Sequence, residues 1–549
     1  MKVGWEMSSK LKGCRAVLLT LTLVAMASTV SGQHVNRSSG SAAPQIQHTA
    51  PAGKAVRATR QRFLEMFARA YFPGRTGQLL VVPREGDFIT RPDPYYTQMH
   101  GTPWPYDVDI PIMFVGPAVK AGQYSMVAVQ QDIAPTLAAA LGVKMPPTAT
   151  GHVLPVLRKG FGRPRVILLL VLDGMRRDYF DRLATSMPTL TALRRQSAWF
   201  TQAQVNFIPT NTAVGHSTIS TGTDPSVHGI TGVSTYDWEG HQRHDMFAGC
   251  APQDLLALTL ADVWQRATAG RAVIFAQGSI DRAATPLAGH GACQNSTSYA
   301  GLSAALFGTP VVMASYDQKS GAWHSNPACF RLPEYLKDMN ASTLWKDNPE
   351  WMGHRIDSTM AVRYSALFPK FESDATIAMI EHEPVGEDSV ADLILLNYKC
   401  ADFVGHKYGP ESEELRVTLA EMDRQLARVL SALEAKVGKD YLLAVTADHG
   451  MPSLPPSPDH RHFTPTIIDL LDEKFDPEGK QLVTSFEPEN CQIYIDEDRL
   501  SKLGLTLKEL AQFLESQPYM FAVFTNDEVR GAVDALKTAT TAPGQTKHK

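Results

Sequence analysis

Three apolar runs that end on acidic or histidine side chains constrain this chain more than any other feature. Val166–Leu172 closes on Asp173 in VILLLVLDG, LILLNY is followed by Asp402, and LLAVTADHG ends on Asp448 and His449. Runs this short and this apolar suit strands buried on both faces of a parallel sheet. Gln78–Pro83, Ile110–Val115, Ala272–Ala276, Leu393–Asn397 and Tyr441–Thr446 read as strands for the same reason. Helical patterns alternate with them. Asp132 is placed to cap IAPTLAAALG, and Ser412 opens an amphipathic stretch to Lys436. Strand and helix in alternation predict an α/β fold, a doubly wound and mostly parallel sheet. Reactive side chains of such sheets gather at the carboxyl ends of the strands, where Asp173, Asp402, Asp448 and His449 stand.

At 549 residues the chain exceeds one ordinary core, so two packed units or one core with large insertions is expected. A net charge of −4 offers no basic field for nucleic acid or an anionic membrane. Lys2, Lys10, Lys12 and Arg15 precede the apolar run Ala16–Ala27 and a small-residue exit, STVSG. That pattern predicts a signal peptide over 1–32 and an exported, periplasmic or extracellular protein. The run is short for a membrane span, with an uncleaved anchor as the alternative, and no similar stretch recurs, so no stable membrane insertion is expected. Loss of the signal removes Cys14 and leaves Cys250, Cys293, Cys329, Cys400 and Cys491. A disulfide is expected among Cys250, Cys293 and Cys329, which share a segment, and the odd count leaves at least one thiol unpaired. Asn36, Asn295 and Asn340 begin glycosylation sequons.

A nucleophile is legible in Ile208–Gly222, IPTNTAVGHSTISTG, a loop entering a helix at Thr212. A threonine at a helix N-cap usually only caps it. The same position points a hydroxyl at the positive helix end, where a phosphate would bind. Carboxylates and imidazoles converging from separate segments suit zinc, which would lower the pKa of such a hydroxyl.

The segments VLDGMRRD, NTAVGHSTISTG, PSVHGI, ADFVGHKYGP and TADHGM together resemble the alkaline phosphatase superfamily. Within it they are similar to the threonine-nucleophile alkaline phosphatases and the type I phosphodiesterase/nucleotide pyrophosphatases. The resemblance implies two Zn2+ ions, one held by Asp173, Thr212, Asp448 and His449. The other would be held by Asp402, His406 and a third histidine. In the family that histidine follows the Asp-His-Gly segment, in a block resembling H-G-x-x-x-Y-D-x-x-x-P. Here the block stands near the front, at His100 in HGTPWPYDVDIPIMFVG, and continues with a family-like ending through Gly151 and Leu154. Arg75, in PGRTGQLLVV, resembles the segment that leads into it. His460 and His462 lack the flanking pattern and read as surface residues. His216 and His228, inside family-like motifs, read as structural.

A circularly permuted core is therefore expected. Its parts are a disordered lead-in (33–59), the displaced end of the core (60–155), a joining linker (156–164) and the nucleophile region (165–239). A cap insertion (240–390), the metal-ligand region (391–470), a small α/β appendage without visible chemistry (484–537) and a disordered tail (538–549) follow. Two positions depart from the family. In GSIDRAATPLAGH, Arg282 fits the phosphate-binding arginine, but Ile280 stands where monoester-cleaving relatives have lysine. Val233 stands where the phosphate-binding asparagine belongs, and Ser234, Thr235 and Lys399 are the candidate replacements. The expected activity is hydrolysis of a small phosphate monoester through a phosphothreonine at Thr212. The alternatives are a phosphodiesterase or nucleotide pyrophosphatase with the same metals, or a non-catalytic phosphoryl-ligand binding protein. Oligomeric state is left open.

Overall fold

The computed structural model describes residues 53–295, 310–455 and 457–541. The expected signal peptide, Asn36 and the last eight residues lie outside the described residues. Among the described residues nine strands form the central sheet. Their order is Trp323–His324, Val312–Tyr316, Ile274–Gly278, Asp392–Tyr398, Val166–Leu172, Tyr441–Thr446, Ile112–Val115, Ala198–Gln204 and Gly122–Val129. From Val312–Tyr316 to Tyr441–Thr446 every neighbour is parallel. Asp392–Tyr398, Val166–Leu172 and Tyr441–Thr446 are buried at every position, which explains their unbroken apolar runs. The mostly parallel α/β sheet expected from the sequence is present.

Register builds the functional edge. Tyr398 lies opposite Leu172, and Thr446 opposite Val171, so three strands end level with one another. Asp173, the segment from Lys399 to Asp402, and Asp448 all leave the sheet on that edge. Ile112–Val115 runs antiparallel, with Ile112 opposite Thr446, so the residues preceding it also arrive there. The expectation of a parallel strand at 110–115 is corrected: an apolar run encodes burial and not direction.

Several boundaries also differ. Gln78–Pro83 does not enter the central sheet. Leu79–Pro83 pairs antiparallel with Gln492–Ile495 and Met520–Thr525 in a separate four-stranded sheet, so the C-terminal appendage includes a strand from the front of the chain. Helix Gly53–Ala70 starts inside the lead-in read as disordered, and helix Asn526–Thr541 runs into the tail. These two helices pack together, and Phe63 and Phe67 stack edge-on against Phe521 and Phe524. Burial of their apolar faces offsets the ordering entropy that composition alone suggested would win. The segment 240–390 is not simply a cap, because Ile274–Gly278, Val312–Tyr316 and Trp323–His324 are central-sheet strands. Asp132 stands at the N-cap of Ile133–Ala140 without capping it, its carboxylate accepting from Val129 and His152 backbone N–H groups instead. The joining segment is exposed from Arg158 to Arg163. Cys293 and Cys329 form a disulfide, and Cys250, Cys400 and Cys491 are free and buried. No helix among the described residues is long and apolar enough to cross a membrane.

Candidate active site

The helix Cys400–Tyr408 follows Asp392–Tyr398 almost without a loop and carries Asp402 and His406 one turn apart on the same face. His406 Nε2 lies 3.2 Å from Asp402 Oδ1, and His100 Nε2 lies 3.4 Å from the same oxygen. Both rings are fixed from behind. His406 Nδ1 bonds the Gln98 carbonyl at 2.8 Å, 308 positions away in sequence, and His100 Nδ1 bonds the Thr210 carbonyl at 2.8 Å. Such second contacts set the tautomer and leave Nε2 as the ligand atom. His100 also stacks on His449, ring centroids 3.6 Å apart.

The second group comes from the neighbouring strand ends. Asp173 Oδ1 is 3.5 Å from His449 Nε2, and Asp448 Oδ2 is 3.3 Å from it. Asn397 Nδ2 holds the other Asp173 oxygen at 3.1 Å, while the Gly174 and His449 N–H groups hold Asp448 Oδ1. Helix Thr212–Thr221 can lie this close because Gly215 faces Asp448; a Cβ there would meet Asp448 Cβ at 2.7 Å.

The residues fit metal ions. Asp402 Oδ1, Asp448 Oδ2 and His449 Nε2 are buried without a hydrogen-bond partner, a costly arrangement unless a cation satisfies them. The atoms of His100, Asp402 and His449, and those of Asp173, Asp448 and His449, each lie within 4.8 Å of one another. His449 belongs to both sets, so the two positions adjoin.

Thr212 is the first residue of its helix, and the cap is Asn211, whose side chain accepts from Val214 N–H. The reading of Thr212 as the capping residue is corrected by one position. With the cap supplied by its neighbour, the Thr212 hydroxyl is free to face Lys399. Lys399 Nζ lies 2.9 Å from Thr212 Oγ1, 2.7 Å from Asp173 Oδ1 and 2.7 Å from Asp402 Oδ2. Burial opposes the ammonium charge, but Asp173, Asp402 and Asp448 outweigh it and hold the Lys399 pKa above the usual lysine value. Burial likewise opposes the Asp402 carboxylate, yet Lys399 and His406 keep its pKa well below the ordinary range. At Asp173, burial and then Asp448 win, and the pKa rises.

Of the three candidate replacements at the phosphate position, only Lys399 reaches the nucleophile. The Ser234 hydroxyl donates to Glu487, and the Thr235 hydroxyl to the Arg75 carbonyl. Val233, Ile280 and Arg282 line a cleft of about 470 Å³, together with Tyr96 and Glu489. Arg282 Nε is buried there without a partner. His216 bonds the Thr212 carbonyl, and His228 bonds Thr218, both inside the helix packing. His460 and His462 pair with Asp87 and belong to neither of these groups.

No sequence motif marks the turn Pro488–Asn490, which joins the strands Val483–Glu487 and Gln492–Ile495. Asn490 Oδ1 accepts from Val233 N–H and from Asn211 Nδ2, so the C-terminal sheet braces the cap of the Thr212 helix. Its only sequence signal was an Asn in a segment without a motif.

Residues 167–535 match the family described as type I phosphodiesterase/nucleotide pyrophosphatase. The chain is 26% identical over 433 residues to the alkaline phosphatase PafA of Elizabethkingia meningoseptica, covering 67% of this chain and 76% of that protein. It is 27% identical over 417 residues to the alkaline phosphatase PhoK of a Sphingomonas species, covering 67% and 71%. A crystal structure of PafA superimposes with a TM-score of 0.50 at 22% identity, over 66% of this chain and 78% of that one.

Proposed function

Because the chain belongs to the type I phosphodiesterase/nucleotide pyrophosphatase family, and is thereby a phosphoric ester hydrolase, we propose that it cleaves small phosphate monoesters through Thr212. The observation that carries this reading is the position of the Thr212 hydroxyl. It sits at a helix N-terminus, in contact with Lys399, beside two buried sets of carboxylates and imidazoles. Asp173, Thr212, Asp448 and His449 would hold one Zn2+, and His100, Asp402 and His406 the other. Two such ions would lower the Thr212 pKa and neutralise charge on the departing oxygen.

The chain's own groups do the rest. The helix N-terminus and the Lys399 ammonium favour the deprotonated Thr212 oxygen and the phosphoryl group it meets. Attack forms the Thr212 Oγ1–P bond and breaks the P–O bond to the leaving group, which takes up a proton. Water then breaks the phosphothreonine, releasing phosphate and restoring the hydroxyl. Arg282 steadies the phosphoryl oxygens with its planar fork.

A second reading, phosphodiester or nucleotide pyrophosphate cleavage by the same groups, is favoured by the apolar Val233 and Ile280 on the cleft wall. A diester carries one negative charge fewer and needs fewer donors. Side-by-side turnover of an aryl phosphate monoester and a bis-aryl diester by zinc-loaded protein decides between them. Higher kcat/KM on the monoester supports the first reading; a reversed preference replaces it. Turnover of neither, with metal bound, would favour a phosphoryl-ligand binding protein.

A further inference from the structure

A separate cluster on the same cleft brings Cys250, Asp281 and His324 together, with one ligand atom from each lying within 4.8 Å of the others. Cys250 Sγ is 3.4 Å from Asp281 Oδ1, and His324 Nε2 is 2.8 Å from that oxygen. In a tetrahedral zinc site, bonds of ~2.0–2.3 Å place neighbouring ligand atoms roughly 3.3–3.5 Å apart. The Cys250–Asp281 spacing already matches that geometry, and His324 has to draw back from Asp281 to reach it.

The three residues come from unrelated elements, so no local turn brings them together. Asp281 opens helix Asp281–Ala288, His324 lies on a strand opposite Ser315, and Cys250 ends a tight turn. That turn is strained in a directed way. Phe247 and Cys250 both take left-handed backbone angles, φ 64° and 57°, although neither is glycine. The turn delivers the thiol to Asp281. The carboxylate is itself held in place: Gly249 N–H donates to Oδ2 at 3.0 Å, and the Ser315 hydroxyl donates to Oδ1 at 2.6 Å. Outer contacts of this kind orient metal ligands.

We propose that Cys250, Asp281 and His324 form a zinc site distinct from the strand-end catalytic groups, with a fourth coordination position open to the cleft beside Arg282. Thiolate, imidazole and one carboxylate select Zn2+ over the oxygen-loving Mg2+ and Ca2+. Cys250 is fully buried, whereas Asp281 and His324 line the cleft, so the open position faces it. Three protein ligands with a vacant fourth position can accept an oxygen from water or from a molecule in the cleft. Binding expels the thiol proton to solvent.

Cobalt titration of the metal-stripped full chain tests this directly. The catalytic groups include no cysteine, so a near-ultraviolet thiolate-to-cobalt charge-transfer band reports on this cluster. The expected result is a band that saturates with Co2+, disappears in Cys250→Ser, and persists in Cys400→Ser and Cys491→Ser. His324→Ala keeps the thiol and removes a half-exposed side chain, and it should weaken the cobalt affinity roughly tenfold or more. A folded wild-type chain without the band overturns the proposal. So does a band that survives Cys250→Ser, or His324→Ala with unchanged affinity. If Cys250→Ser does not fold, His324→Ala decides. Loss of hydrolysis through Thr212 would not touch this test.

Discussion

Lys399 is the residue on which the proposed phosphate chemistry turns. Val233 and Ile280 remove two polar donors from the cleft, Ser234 and Thr235 are engaged elsewhere, and the Lys399 ammonium is left 2.9 Å from the nucleophile. Lys399→Met should keep the strand and helix around it but lower monoester kcat/KM by about 10²–10³-fold, the scale of losing one preorganised donor. Steady-state kinetics beside zinc content separates this from loss of metal; unchanged kcat/KM would remove Lys399 from the mechanism. Val233→Asn and Ile280→Lys should act in the other direction. Each would add a donor to the cleft, worth about 1–3 kcal/mol of transition-state binding per productive contact. If neither variant, alone or combined, raises monoester turnover in folded protein, the assignment of these two positions is wrong. The sequence placed Lys399 among three candidates but could not show its direction. That direction comes from a strand-to-helix junction that turns Lys399 inward, while distant residues capture the hydroxyls of Ser234 and Thr235.

At the scale of elements, two helix N-terminal regions carry the site, and glycine sets how closely one approaches. Gly215→Ala would drive a Cβ into Asp448, so the helix Thr212–Thr221 must retreat. Both metal occupancy and kcat should fall together, as measured by elemental analysis and initial rates on the same sample; full retention of both would show that the contact is slack. His100→Ala should empty one metal position, while His460→Ala and His462→Ala should leave metal content unchanged, since those rings pair with Asp87. The strand ends were legible because strands buried on both faces leave unbroken apolar runs, and those runs stop at Asp173 and Asp448. The cap at Asn211 was missed by one residue, since Asn and Thr are both good caps and only the geometry chooses between them. The antiparallel direction of Ile112–Val115 and the pairing of Leu79 with Ile493 rest on partners hundreds of residues away, and no local pattern records them.

At the scale of the whole molecule, we propose a circularly permuted chain order. We read residues 60–155 as the end of the family fold placed first. The reading is supported by His100 beside Asp402, by Ile112–Val115 in the central sheet and by an exposed joining segment. The helices Gly53–Ala70 and Asn526–Thr541, which open and close the described chain, pack together. A rearranged chain, opened at Gly160 and joined from 541 to 53 by a short flexible linker, should fold and hydrolyse like the original. Circular dichroism and turnover check this; an unfolded product would argue that the present order is required. The Cys293–Cys329 disulfide closes a loop across a separation of 36 residues, and Cys293→Ser with Cys329→Ser should lower stability by about 2–4 kcal/mol in denaturant melts. The central claim, hydrolysis through a covalent intermediate on Thr212, is tested by acid-quenching zinc-loaded enzyme during monoester turnover and mapping phosphopeptides by mass spectrometry. Phosphate is expected on Thr212 during turnover and on no other residue, with turnover reduced at least about 10³-fold in Thr212→Ala. Wild-type turnover by Thr212→Ala, or phosphate trapped on a different side chain, would contradict it.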